Sequence, residues 1–279
     1  MHCLILLNTY KKQAFSLAKQ IENFLQKRSV KVFTLEFAEP LKEFSFEPYD
    51  FAITLGGDGT VLFAARGCLE KRIPIFPINL GEFGFIAGVQ KEKWQKPLEQ
   101  FLQDELALAA RSMLQVDVYR KNKKVFTEYA LNDIVIAVDK AAKPGVFDIK
   151  YNENAFGQFR ADGLIIATST GSTAYSAAAG GPIVDPELDA IVFNPICAFS
   201  LSNRPLVLPS SAVLQIEILP ARGTPIAVTA DGQVSKRLET GDIVKIQKTK
   251  EKILLAGCGS AVFYSALRSK LHWSGGPLA

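Results

Sequence analysis

A chain of 279 residues, 48% apolar and 22% charged, suits one large domain or two of ordinary size and is too apolar for disorder. Its 32 Lys and Arg against 28 Asp and Glu leave a formal charge of +4, which suits anionic small molecules but gives no footprint for nucleic acid. The two histidines, His2 and His272, stand at opposite ends and argue against a His metal cluster or a central His base, so acid–base chemistry must lean on carboxylates.

The first hundred residues alternate strand and helix. Cys3–Leu7 reads as a strand, and Ala14, Leu17, Ala18, Ile21, Phe24 and Leu25 recur at helical spacing. Strands are expected at Val30–Leu35, Phe51–Leu55 and Ile73–Ile78, with helices over Thr60–Glu70 and Lys91–Leu106. Strands separated by helices imply a parallel sheet covered on its faces.

After about Arg111 the pattern becomes short alternating strands: Met113–Tyr119, Val125–Tyr129, Ile134–Val138, Leu214–Leu219, Ile226–Ala230, Ile243–Gln247 and Ile253–Ala256. Hairpin turns are expected at Lys121–Lys124 and Tyr151–Asn154, and one helix near Thr173–Ala179. Val262–Leu271 returns to helical spacing. The expected organisation is an α/β domain over residues 1–108, a β-rich domain over 109–261, and a closing helix and tail, 262–279, that packs on the first domain.

The four cysteines, Cys3, Cys68, Cys197 and Cys258, form no CxxC pair and read as buried thiols of a reducing compartment. Leu4–Leu7 is too short for a secretory leader and nothing basic precedes it, while the uncharged run Gly163–Val184 is too polar to cross a membrane. A cytoplasmic protein without membrane attachment is expected.

Gly56-Gly57-Asp58-Gly59 lies between a buried strand and a helix. Such glycines let the backbone turn and approach a ligand, and the helix N-terminus beside them suits phosphate. The spacing is neither a P-loop nor GxGxxG. Asp58 beside phosphates could hold Mg²⁺ or take a proton from an attacking hydroxyl; capping the helix or tolerating a turn is the ordinary alternative. The cluster Thr168–Ser176 offers hydroxyls, backbone N–H groups and the stacking face of Tyr175, or is a Ser/Thr-rich connection. Arg160 and Asp162 could meet a phosphate and a sugar hydroxyl, or form a surface ion pair. Asn132-Asp133, entering a strand, could bind a base or ribose, or make a turn.

Together these segments resemble the NAD kinase family: LGGDGTVLFAAR (Leu55–Arg66), INLGEFGF (Ile78–Phe85), LND (Leu131–Asp133), DGLIIATSTGSTAYSAAAGGPIVDP (Asp162–Pro186), SLSNRPLV (Ser200–Val207), DGQ (Asp231–Gln233) and LHWSG (Leu271–Gly275), in that order. GGDG alone is shared with diacylglycerol, sphingosine and phosphofructo-type kinases; followed by TGSTAY, AGGPIVDP and SLSNRP it is highly specific. The resemblance implies a Rossmann-like first domain, a β-sandwich-like second domain and a nucleotide site in the cleft between them. It implies Mg-dependent transfer of the ATP γ-phosphoryl group to the adenosine-ribose 2′-hydroxyl of NAD, giving NADP. Asp58 would be the base, and Asp58 and Gly59 would line the NAD site. Asn132 and Asp133 would bind adenine and ribose, and Thr170, Thr173, Ala174, Tyr175, Ser176, Ala177 and Ala178 the dinucleotide. Lys143, Arg160, Asp162 and Gln233 would complete the pocket.

Mg²⁺ would be held chiefly by ATP phosphates, since no oxygen cage is visible in the sequence. Inorganic polyphosphate stands beside ATP as donor, and NADH beside NAD as acceptor. The family implies a homodimer or homotetramer. A lipid or sugar kinase of the GGDG superfamily and a non-catalytic NAD(P)-binding regulator are the competing readings. Six positions depart from the family pattern. Asp133 replaces glutamate, Ser169 replaces proline and is expected to loosen its loop, and Phe199 replaces histidine. Ala177-Ala178 replace a Leu-Ser-like pair, and Phe63 takes a basic position where it would weaken phosphate contacts.

Overall fold

The computed structural model describes residues 1–11, 13–38, 46–81, 84–139, 143–200, 202–221 and 225–273. Glu82 and Phe83 of the INLGEFGF segment, Leu201 of SLSNRPLV and residues 274–279 of the tail therefore lie outside the described residues. The chain forms two units, Met1–Arg111 with Glu251–Ala279, and Ser112–Lys250.

The first unit begins β1 (His2–Asn8), α1 (Gln13–Gln26), β2 (Lys31–Phe37), β3 (Phe51–Gly56), α2 (Asp58–Cys68), β4 (Ile75–Asn79), β5 (Val89–Gln90) and α3 (Gln95–Leu102). β1 pairs in parallel with β2 and with β3, and β3 with β4. β3 and β4 are buried along their whole length, as expected of parallel strands covered on both faces, which is why they read as unbroken apolar runs. α1 buries Ala14, Leu17, Ala18, Ile21 and Leu25 on the face that packs into the same core as Ile5, Leu7, Phe51, Ile53 and Phe76. Because β1 sits between β2 and β3, the chain reverses its direction of travel across the sheet there, and the loops at the strand carboxyl ends border a topological switch point. The GGDG turn leaves the carboxyl end of β3 at that place.

Two local expectations are corrected in this unit. α3 is shorter than Lys91–Leu106: Pro97 lacks an N–H and fits only its first turn, and Asp104, at φ 57, closes it. Phe63 does not face a phosphate position. It is buried, with its ring 4.6 Å from Phe37 and 6.3 Å from Phe46, so an apolar residue there fills core.

The chain continues with β6 (Leu108–Arg120), β7 (Lys123–Ala130), β8 (Asp133–Val138), β9 (Gly145–Tyr151), β10 (Asn154–Ala161), β11 (Gly163–Thr168), a 3₁₀ turn (Thr170–Thr173) and the single turn α4 (Tyr175–Ala178). Then come β12 (Ala190–Ile196), β13 (Leu206–Pro209), β14 (Val213–Ile218), β15 (Ile226–Ala230), β16 (Val234–Leu238), β17 (Ile243–Ala256) and α5 (Ser260–Leu271). Both expected hairpin turns are present. Lys121 and Asn122 have φ 50 and 62, and Asn152 and Glu153 have φ 48 and 66, the paired left-handed residues of a turn that matches strand twist.

In the second unit two antiparallel layers face each other, β10-β9-β14-β17-β6-β7 and β13-β12-β11-β8-β15-β16. Their inner residues form one core: Val116, Phe147, Ile149, Ile216 and Ile246 from the first layer, Ile134, Ile136, Leu164, Ile166, Phe193 and Val228 from the second. β11 is buried on both faces, since Ile165 and Ala167 pack on Val184 and Val192 behind it. This fixes the Ser/Thr-rich segment to the end of a rigid central strand. The expected strands Ile243–Gln247 and Ile253–Ala256 are one strand, β17, which runs on through the charged stretch between them, with the buried face shifting phase from Val244 and Ile246 to Thr249, Ile253 and Leu255. α5 belongs to the first unit, where the Phe263 ring lies 6.2 Å from Phe85. Cys3, Cys68 and Cys258 are buried, but Cys197 is exposed, at φ 45 after the end of β12.

Candidate active site

In the first unit the site is built around Asp58, the first residue of α2. Gly57 is the N-cap and no side chain caps the helix, so the capping role weighed for Asp58 is not what its carboxylate does. Instead Oδ2 accepts the N–H of Phe85 at 3.0 Å, and Oδ1 accepts those of Ile86 at 3.3 Å and Ala87 at 3.0 Å. The helix N-terminus is itself favourable for the negative charge. A side chain on Gly84 would place its Cβ 2.1 Å from Asp58 Oδ1, so glycine is required for the segment to come this close. Gly56 is likewise demanded by approach: its Cβ would lie 1.9 Å from Thr60 Oγ1. Neither Gly56, Gly57 nor Gly59 has positive φ, so these glycines serve proximity and not a left-handed turn. Gly57 has open space beside it and Gly59 is exposed. Behind them the Thr60 and Val61 N–H groups bond back to Gly57 O at 3.0 and 3.4 Å, so it is the exposed glycine turn itself that an anion can approach.

In the second unit Asn132, Asp133, Val135, Ala174, Tyr175, Thr229, Asp231 and Gly232 line a cavity of about 390 Å³, a volume in the range of small-molecule sites. Asp231, at φ 51 in the hairpin turn between β15 and β16, accepts the N–H groups of Leu131 at 2.9 Å, Asn132 at 2.8 Å and Asp133 at 3.1 Å. Asp133 is buried, and its carboxyl is pushed up to about 7, first by burial and then by the charge of Asp231. Near neutrality it can therefore both donate and accept a hydrogen bond. Asn132 Oδ1 is a buried acceptor without a partner among the described residues, of the kind a bound amine or hydroxyl would satisfy.

Thr168 stitches the two halves of this wall together. Its Oγ1 donates to Leu131 O at 2.6 Å and accepts the Gly171 N–H at 2.9 Å, while its N–H donates to Asn132 O at 2.9 Å. Ser172 and Ser176 are fully buried. Ser172 Oγ donates to Ser169 O at 2.7 Å and accepts the Val184 N–H at 2.9 Å, and Ser176 O accepts from Asn194 Nδ2 at 2.9 Å. Ser176 thus braces the loop, whereas Ala174 and Tyr175 face the cavity. Thr170 is buried, and Thr173 Oγ1 bonds back to Thr170 O at 3.2 Å. Ala177 is half-buried and Ala178 exposed, and neither is among the lining residues. Ser169 does not loosen this loop: its hydroxyl donates to Leu188 O at 2.5 Å, a tether a proline could not make.

Other expected residues stand apart from the cavity. Asp133 pairs with Ala167 whereas Gly163 pairs with Ala137, so Asp162 lies at the opposite end of the β8–β11 ladder from Asp133. Arg160 pairs with Val146 on β9, and Lys143, exposed, precedes that strand. Arg160 stacks its guanidinium 5.3 Å from the centre of the exposed Phe199 ring. Gln233 follows the hairpin turn and donates its N–H to Ala230 O at 2.9 Å without lining the cavity. Sequence reasoning missed Asp231, Val135, Thr229 and the segment 84–87. An Asp-Gly pair at a strand end is the turn signal that marks Asp231.

A glycine-rich turn at a strand end and helix N-terminus in one unit, with a mainly apolar cavity edged by carboxyl and amide groups in a β-sandwich unit, is the arrangement of a nucleotide-binding α/β protein. The sequence matches the ATP-NAD kinase N-terminal domain over residues 34–106 and the ATP-NAD kinase C-terminal domain over residues 131–257. An NAD kinase of Treponema denticola is 48% identical over 98% of this chain and 96% of its own, and one of Treponema pallidum 42% identical over 98% and 90%. The structure of an Archaeoglobus fulgidus NAD kinase in complex with ATP matches at TM-score 0.77 and 25% identity, covering 98% of this chain and 99% of that one. A yeast NADH kinase complexed with NADH shares the fold at TM-score 0.86 and 24% identity, over 99% and 89%. The chain belongs to the NAD kinase family.

Proposed function

We propose that this protein is an NAD kinase that transfers the γ-phosphoryl group of ATP to the adenosine-ribose 2′-hydroxyl of NAD, giving NADP and ADP. In this reading the 2′-oxygen bonds to the γ-phosphorus as the bond to the β-bridging oxygen breaks, and Asp58 takes the hydroxyl proton. The observation that carries it is the fixed carboxylate. Three backbone N–H groups and the lack of a side chain at Gly84 hold Asp58 in one orientation, while Oδ2, with one described donor, keeps acceptor capacity. The cavity lined by Asn132, Asp133 and Tyr175 supports binding of the adenosine half, with Asn132 Oδ1 and the Asp133 carboxyl as its polar contacts.

Phosphoryl transfer needs positioning and charge neutralisation more than covalent chemistry. Among the described residues no group of three or more His, Cys, Asp or Glu side chains converges. Mg²⁺ would arrive on the ATP phosphates, as the family resemblance implies, and would supply charge neutralisation there, with the positive end of α2 beside the same anion. Assembly as a homodimer or homotetramer, from family resemblance, and a cytoplasmic location, from the scattered cysteines, complete the reading. Among the described residues no helix is long and apolar enough to cross a membrane.

The test is NADP formation from NAD, ATP and Mg²⁺, read by an NADP-specific dehydrogenase, with light scattering for the assembly. Turnover with NAD supports the reading. Tight NAD binding without turnover, with ATP or with polyphosphate, would make the protein a dinucleotide-binding regulator instead.

A further inference from the structure

The segment Gly84–Gly88 that Asp58 grips has a second side. There the exit of β17 turns at Gly257, φ 65, into the start of α5. The Cys258 thiol donates to Ile86 O at 2.8 Å, with Ala256 O at 3.2 Å, and the Gly88 N–H donates to its sulfur. The buried Arg111 holds the same turn from below, its Nη2 donating to Cys258 O at 2.7 Å. The two backbones touch: a Cβ on Gly88 would sit 2.4 Å from Gly257 O and 3.2 Å from a Val262 methyl. Ile86 is thereby held twice, its N–H on Asp58 and its carbonyl on Cys258.

We propose that Cys258 is a positioning residue for the transfer reaction: it locks the segment Phe85–Gly88 from behind, so that the N–H groups facing Asp58 stay aligned and the carboxylate keeps the orientation the reaction needs. The proposal rests on the reading of Asp58 as the base. Burial pushes the thiol up to about 12, so it remains an S–H donor across the working pH range and is not a reactive thiolate. Serine keeps a donor at nearly the same place. Alanine removes it and leaves Ile86 O facing a void, and a displacement of a catalytic group by about 1 Å can cost on the order of 100-fold in rate.

The test compares Cys258→Ala and Cys258→Ser in the full chain by steady-state kinetics and by amide exchange of Phe85, Ile86 and Ala87. The expected result for Cys258→Ala is a kcat lowered about 10-fold, KM for NAD and ATP within about twofold of wild type, and faster exchange at those amides. Cys258→Ser should restore both. Should Cys258→Ala not fold, Cys258→Val fills the volume without the donor and carries the same comparison. Wild-type kcat in the alanine or valine variant, or a loss that serine shares, overturns the proposal. If the wild type itself turns over no NAD, the Asp58 reading fails. The exchange data then decide separately whether Cys258 locks the segment, and unchanged exchange would end that idea too.

Discussion

Asp231 accepts the backbone N–H of Asn132 at 2.8 Å across 99 residues of sequence, and with the N–H groups of Leu131 and Asp133 it fixes the start of β8 against the β15–β16 turn. The two residues expected to read the adenosine half thus owe their position to a third residue, the carboxylate of Asp231, which lines the same cavity. Asp231→Ala should release three N–H groups and raise KM for NAD at least about 10-fold, with a smaller change in kcat, since charge-assisted hydrogen bonds contribute about 1.5–3 kcal/mol each. Steady-state kinetics with varied NAD check this.

Asp133 carries a pH signature with a definite sign. Its carboxyl rises from 3.8 in the unfolded chain to about 7 in the folded one. Between those values the folded state holds a proton that the unfolded state has lost, so this group's contribution to stability is full below about pH 4 and is lost as pH rises through about 7. Asp133→Asn removes that loss, so the variant should gain stability relative to wild type between pH 5 and pH 8. Thermal unfolding at the two pH values reads the difference. Asp231→Asn, which deletes the neighbouring charge, should bring the Asp133 carboxyl down, visible in the same comparison.

Gly84 tests the near side of the Asp58 grip. Gly84→Ala drives a methyl to 2.1 Å from Oδ1, so the carboxylate or the segment must move. The expected outcome is a kcat lowered by about 100-fold with NAD binding preserved, measured by turnover and by calorimetric titration with NAD.

Gly171 tests the wall of the cavity. Its Cβ would meet Asn132 O at 2.0 Å, and that atom is backbone and already accepts the Thr168 N–H. Gly171→Ala should cost about 1–3 kcal/mol by overpacking and weaken NAD binding together with stability. Urea denaturation and NAD titration report the two effects.

Much of the fold was legible because β1, β3 and β4 of the first unit are covered on both faces and α1 on one, so apolar runs and helical spacing stand out. Short strands of the sandwich were not: β10, β12, β13 and β16 lack a strong apolar alternation of their own and are set by pairing, as when β12 joins β11 on one side and β13 on the other, whereas β9 does alternate, with Phe147 and Ile149 buried between Asp148 and Lys150, and went unread. At the site, Asp58 and Asn132-Asp133 were visible as carboxylates and amides at element starts. The roles of Phe85–Ala87 and Cys258 were not, because one acts through backbone N–H groups and the other through a contact 172 residues away. Phe63 misled, since position on a helix does not say which side of it is core.

The measurement closest to the central claim is Asp58→Asn, with turnover and NAD affinity determined on the same preparation. The account predicts a kcat reduced at least about 100-fold, as for loss of a general base, with NAD affinity within a few-fold of wild type. Undiminished turnover, or activity and NAD affinity lost together, would contradict it and leave Asp58 as an anchor for the segment 84–87 alone.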